Sequence, residues 1–210
     1  MVDAITYGPG IADERSLRLI GDVAGKRVLV LGSRAPHPFV PLCLEGALTV
    51  VVEPVLEHVE AARRARDAAD VRLEMRNGDL ADLAFLRADS IDVVLSIGAL
   101  AEVDDLGRVF RQVHRVMNAS AAFVIALPHP TLALVGPASG TIVRSAFDRT
   151  PIETTVDDVP SVDRHHTISE LFTTLSRSKL RVDTLLEPQP EDPQATLPTT
   201  LLIRARKEGS

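Results

Sequence analysis

The chain has 210 residues, 45% of them apolar and 25% charged, with a formal net charge of −6. That supplies a full-sized core for one ordinary domain spanning residues 1–210. The acidic balance and an aromatic content of only 3% exclude phosphate-backbone binding and base stacking as the main business, so no nucleic-acid partner is expected.

Taken in chain order, apolar runs alternate with helical patterns, which points to an α/β protein with a largely parallel sheet. A first helix is expected over 12–20, opened by the acids Asp13 and Glu14 and closed by Gly21 and Gly25. Strand RVLVL (Arg27–Leu31) runs into Gly32, and a second strand over 48–52 ends at Glu53. The helix between them is disturbed at its start by Pro36, Pro38 and Pro41. A helix follows over 55–69, its Arg63, Arg64 and Arg66 forming a solvated face, then a short strand over 71–75. The near-continuous apolar run Ile91–Ile97 suits a strand covered on both faces. Leu106, Val109, Phe110, Val113 and Met117 form one stripe at helical period over 104–117. His58 and His114 read as ordinary, partly exposed helix positions.

The next strand is 121–127. From 128 to 164 no period holds, and an irregular stretch of that length inside a compact domain is usually functional. Thr167 followed by Glu170 marks a capping box for the last helix, with Ile168, Leu171, Phe172 and Leu175 on its buried face. Two strands, 181–186 and 199–205, finish the chain. The link between them is too short for a parallel crossover, so they pair antiparallel. The result is a mostly parallel seven-stranded sheet with a terminal antiparallel hairpin and helices on both faces.

The single cysteine, Cys43, leaves no internal disulfide and no cysteine-based zinc site, and reads as a core residue. No grouping of residues has metal-ligand spacing. The opening MVDAITYGPG has no charged segment followed by an apolar one. The apolar stretch 119–135 is interrupted by Pro128 and Pro130, which rules it out as a membrane span. A cytoplasmic location without a membrane partner is expected.

The order of elements and several local strings resemble the class I S-adenosylmethionine (SAM)-dependent methyltransferases, in particular bacterial members acting on small molecules. The strings are GDVAGKRVLVLG (21–32), VVVEP ending in Glu53 and Pro54, NGDLADLAF (77–85), SIDVVLSIGALAEVDDLGRVFRQVHRVM (90–117) and FVIALPHP (123–130). RSAFDRTPI (144–152), HHTISELFTTL (165–175) and LLEPQP (185–190) continue the likeness, which covers nearly the whole chain. It implies a Rossmann-like fold with SAM at the carboxyl ends of the first parallel strands.

Residue by residue, the resemblance puts Gly32 beside the cofactor and Glu53 on the ribose hydroxyls. It puts Asp79 on the adenine amino group, with the backbone of Leu80 beside it. Ser96 stands at a strand end facing the cofactor. Read without the family, Glu53 is an acid at a helix N-terminus and Asp79 a turn former. The glycine-rich loop departs from the family pattern. Val30 replaces its acid, Arg34 its second glycine and Pro36 its third, at positions where glycine permits backbone conformations that cost other residues about 1–2 kcal/mol. Arg34 either repels the sulfonium or pairs with the ligand's carboxylate.

Catalytic residues are not assigned by the sequence. His129, His165 and His166 are the candidates for a base, and each is equally an ordinary loop histidine. Tyr7 either folds over a ligand or anchors the N-terminal segment. Segment 128–164, with Arg144, Phe147, Asp148 and Arg149, suits either a cover over a small-molecule acceptor or a dimer surface. Two readings follow: a SAM-dependent methyltransferase acting on a small molecule, or a catalytically inactive relative that binds or regulates a protein partner. A dinucleotide enzyme is disfavoured by the terminal hairpin and the missing glycine fingerprint.

Overall fold

A computed structural model describes residues 4–34, 37–136 and 140–208. Nine strands and five α-helices follow one another along it. A seven-stranded sheet has the order β3-β2-β1-β4-β5-β9-β8, built from β1 (Arg27–Leu31), β2 (Leu48–Glu53), β3 (Glu74–Asn77), β4 (Ile91–Ile97), β5 (Met117–Pro128), β8 (Leu180–Leu186) and β9 (Thr200–Lys207). β1 to β5 are parallel, and β9 runs antiparallel to both β5 and β8. The sheet and its terminal hairpin are those expected from the sequence.

Both sheet faces are covered, as the strand composition requires. In β1, Leu29 and Leu31 enter the core formed with α4 (Leu106–Val116) and α5 (Ile168–Arg177). Val28 and Val30 point the other way, into the core formed with α2 (Phe39–Leu44), α3 (Leu56–Ala68) and the N-terminal segment. That is the period-two alternation of a strand buried on both sides. Phe110 of α4 meets Phe123 of β5 edge-on at 5.7 Å between ring centres, a favoured aromatic geometry.

Several elements differ from the expected ones. Helix α1 is only Glu14–Leu17, because the Glu14 carboxylate takes the backbone N–H groups of Leu19, Ile20 and Gly21, each at 2.9 Å. Those bonds replace the next helical turn, and Arg18 closes the helix in the left-handed region. Helix α2 survives its prolines because Pro41 stands in the first turn, where a missing N–H is harmless. Strand β3 lies three residues later than expected at its start. The α4 stripe ends on Val116, and Met117 already begins β5. Phe172 of α5 is exposed, whereas Leu171 and Leu175 are buried. His58 is buried and Cys43 only half-buried, the reverse of the expectation for each.

The described part of the stretch 128–164, residues 128–136 and 140–164, is more ordered than its sequence suggests. It opens with a 3-10 turn, Pro130–Leu134, and contains a hairpin of β6 (Ile152–Val156) and β7 (Val159–Asp163). The two hairpin-turn residues, Asp157 and Asp158, have φ of 52° and 63°. Positive φ at both central positions is the turn that matches strand twist. No helix among the described residues is long and apolar enough to cross a membrane.

Candidate active site

The strand order reverses between β1 and β4, and the crevice beyond their carboxyl ends is where such sheets bind ligands. Gly32 leaves β1 at φ 90°, and a Cβ there would stand 2.3 Å from the Cβ of Ala99. Only glycine lets the loop after β1 pass the short 3-10 turn Ala99–Glu102 that follows β4.

Glu53, the last residue of β2, is 2% exposed. Its Oε2 accepts the backbone N–H of Ser33 at 2.6 Å and the Ser33 hydroxyl at 3.0 Å, while Oε1 accepts the N–H of Val55 at 2.9 Å. One carboxylate thus ties the loop after β1 to the start of α3, combining the helix-entry role with a place on the cleft wall. His58 Nδ1 stands 3.7 Å from Oε1. Neither Ser33 nor His58 carries a periodic or motif signal in the sequence.

Asp79 divides its oxygens between the N–H of Ala81 at 2.8 Å and the Arg108 guanidinium at 2.9 Å. The first bond is the turn-forming contact of an Asx residue. Glu53, Asp79 and Leu80 line one cavity of about 570 Å³, together with Gly78, Ala99 and Val103. Ser96 lies apart from it: its buried hydroxyl donates to the Leu31 carbonyl at 3.0 Å, stitching β4 to β1.

Arg34 is the hinge of the cleft. It lines the 570 Å³ cavity, a second of about 260 Å³ and a third of about 700 Å³. Its guanidinium pairs with Glu102, and Glu102 in turn accepts the Ser161 hydroxyl from β7. The guanidinium also packs against Gly98, where a Cβ would come within 3.3 Å of it. Burial works against the Arg34 charge, and Glu53, Asp157 and Asp163 work for it. Val30 is fully buried core, and the acid that pairs with Arg34 in this crevice is Glu102. A lone acid in a loop gave no sequence signal for that role. Pro36, the third departure in the loop, lies outside the described residues.

The 260 Å³ cavity brings together His129, His165 and His166 under the β6–β7 hairpin. The 700 Å³ cavity adjoins it along Leu127, Pro128, Leu132 and Val156, with Tyr7 and Gly8 on its far wall. Tyr7 is an anchor: its buried hydroxyl donates to Glu14, and burial together with that bond raises its pKa far above the ordinary value. Arg144 bonds to the Thr150 carbonyl, and Arg149 pairs with Glu170 at 2.9 Å. Both therefore brace the segment that carries them, while Phe147 is exposed. No group of three or more metal-ligating side chains occurs among the described residues.

A switch-point crevice, an acid closing β2 and a terminal β5-β9-β8 antiparallel unit define the class I methyltransferase fold. Residues 31–125 match the family described as methyltransferase domain. The chain therefore has the fold of the class I SAM-dependent methyltransferases and is similar to their methyltransferase domain over that stretch. A SAM-dependent methyltransferase structure from Mesorhizobium loti superposes with a TM-score of 0.69 at 23% identity, covering 92% of this chain and 96% of that one. One from Methanosarcina mazei gives 0.71 at 14% identity, over 95% and 100% of the two chains. In sequence, the chain is 30% identical over 129 residues to the ubiquinone biosynthesis O-methyltransferase of Azorhizobium caulinodans. That match covers 59% of this chain and 49% of the relative, so it spans about half the relative's length.

Proposed function

We propose that this chain binds SAM in the cavity beside Glu53 and Asp79 and transfers its methyl group to a small-molecule acceptor. The observation that carries the reading is the cavity of about 570 Å³ at the carboxyl ends of β1, β2 and β4, with both acids on its wall. The residues fit an adenosyl group. A carboxylate offers about four acceptor sites, and Ser33 and Val55 occupy three of those on Glu53, leaving one for a ribose hydroxyl. The Asp79–Arg108 pair is half-exposed and hence weak and exchangeable, so Asp79 is available to an amino group.

Bound there, SAM supplies an electrophilic methyl group on a positively charged sulfonium. Glu102 neutralises Arg34 where the three cavities meet, which keeps the centre of the cleft from repelling that charge. The chain's remaining task is positioning, since in-line transfer gains most from proximity and orientation. Segment 128–164 and its hairpin supply the acceptor's walls, and the 260 and 700 Å³ cavities suit a small molecule. The test is amide NMR of the whole chain during titration with S-adenosylhomocysteine. Shifts are expected at Ser33, Glu53, 78–81 and 99–105; shifts confined to other surfaces, or none, would reject the site.

A further inference from the structure

We propose that His165 is the general base of the acceptor cavity and that the acceptor is a hydroxyl-bearing, largely apolar small molecule; this rests on the methyltransferase reading above. Three histidines line the cavity, and their hydrogen bonds separate them. His129 has both ring nitrogens engaged, Nδ1 with the Thr131 hydroxyl at 2.7 Å and Nε2 with Glu187 at 2.8 Å. His166 holds its Nε2 on the Val103 carbonyl at 2.8 Å. His165 is 4% exposed, and its Nε2 is buried without a hydrogen-bond partner among the described residues. A buried polar atom left in that state costs free energy unless another group comes to it.

The placement of His165 is over-determined. Arg164 donates its N–H to the Ala101 carbonyl at 2.8 Å, and His165 donates its own N–H to Asp163 Oδ1 at 2.7 Å. With His166 held on Val103, the residue is fixed between anchors on the turn that carries Glu102. Its backbone sits at φ 52°, in the left-handed region, and such strain persists only where neighbours impose it. Burial lowers the pKa of the ring; Asp163 and Glu170 oppose that, while Arg144 and Arg149 reinforce it. A neutral imidazole at pH 7 accepts a proton rather than giving one. The surrounding wall is apolar at Leu127, Pro128, Leu132 and Val156, which suits a greasy body carrying one hydroxyl.

In the step this implies, the acceptor oxygen forms a bond to the methyl carbon as the carbon–sulfur bond breaks. That electron pair stays on sulfur, the hydroxyl proton passes to Nε2 of His165, and water later removes it.

The test uses the full chain with phenol as the probe acceptor. In protein labelled with ¹⁵N-histidine, phenol is expected to move the His165 Nε2 resonance and leave those of His129 and His166 in place, with toluene moving none. His165→Gln is expected to lower methyl transfer to phenol at pH 7 at least about a hundredfold, flatten its pH profile, and leave the Kd for S-adenosylhomocysteine within about twofold. A His165 resonance unmoved by phenol overturns the proposal, as does a folded variant with full activity or a wild-type chain that binds SAM and does not methylate phenol. Failure of the wild-type chain to bind S-adenosylhomocysteine overturns the underlying reading instead. Should the variant not fold, the resonance measurement on the wild-type chain still decides.

Discussion

Glu53 holds Ser33 twice, by its backbone N–H at 2.6 Å and its hydroxyl at 3.0 Å, with the carboxylate buried at the end of β2. The residue expected to receive a cofactor's ribose is therefore also the clamp that shapes the loop after β1. Ligand binding and apo stability are coupled through one side chain. Glu53→Ala is expected to lose three bonds to a buried charge and strand the Ser33 N–H. That costs ~3 kcal/mol, or about 6–12 °C of melting temperature at this size. Calorimetry of the ligand-free variant checks this, and an unchanged melting temperature would show that the clamp does not bear on stability.

Glu102→Gln separates charge from shape. It removes the direct ion-pair partner of Arg34 where the cavities meet. SAM carries a sulfonium and S-adenosylhomocysteine does not, so the variant is expected to weaken SAM binding selectively. The Coulomb term across the cleft is on the order of 1 kcal/mol, which corresponds to roughly a fivefold shift in the ratio of the two dissociation constants. Equal losses for both ligands would place Glu102 in a purely structural role.

Gly32→Ala tests the close passage of loop and turn. The added Cβ meets that of Ala99 at 2.3 Å, on a backbone at φ 90°. Overpacking and left-handed strain together cost about 2–4 kcal/mol, read as a drop in the urea midpoint. Adding Ala99→Gly is expected to recover the steric part only, because the strain stays with the backbone.

Asp183 sets an acid limit at the far edge of the sheet. Burial raises its carboxyl pKa, but hydrogen bonds from Arg204 at 2.8 Å and Arg206 at 3.1 Å outweigh that, and the net shift is downward. A carboxyl whose folded pKa lies below its unfolded value, about 3.9, contributes stability at higher pH and loses it as pH falls through the folded value. Asp183→Asn is expected to melt a few degrees lower than the wild type at pH 7. The gap is expected to narrow as pH falls below about 4, and a gap that stays constant as the wild type is acidified to its own acid unfolding would contradict the assignment.

How far the sequence is legible depends on whether a feature is local. The apolar run Ile91–Ile97, the capping box at Thr167 and Glu170, and the short β8–β9 link each state their outcome within a few residues. The β6–β7 hairpin carries no local signal, because its Asp157-Asp158 turn lacks the usual glycine and most residues of β6 face solvent. Helix α1 is cut short by Glu14, whose side chain bonds lie five to seven residues ahead. The site divides in the same way. Glu53, Asp79 and Leu80 follow strands and reach one cavity, whereas the Arg34–Glu102 pair joins two loops separated by a whole βαβ passage. No spacing rule reports a contact of that kind, nor does any report that Ser96 turns to the Leu31 carbonyl.

The central claim is that the crevice with an arginine in its glycine loop binds the cofactor, with Glu102 balancing that charge. Its most direct test is calorimetric titration of SAM and S-adenosylhomocysteine into the purified chain. The account predicts one site per chain with a micromolar dissociation constant for each ligand. Absence of heat and of saturation at millimolar ligand would contradict it, and would point to a methyltransferase fold kept for binding a partner.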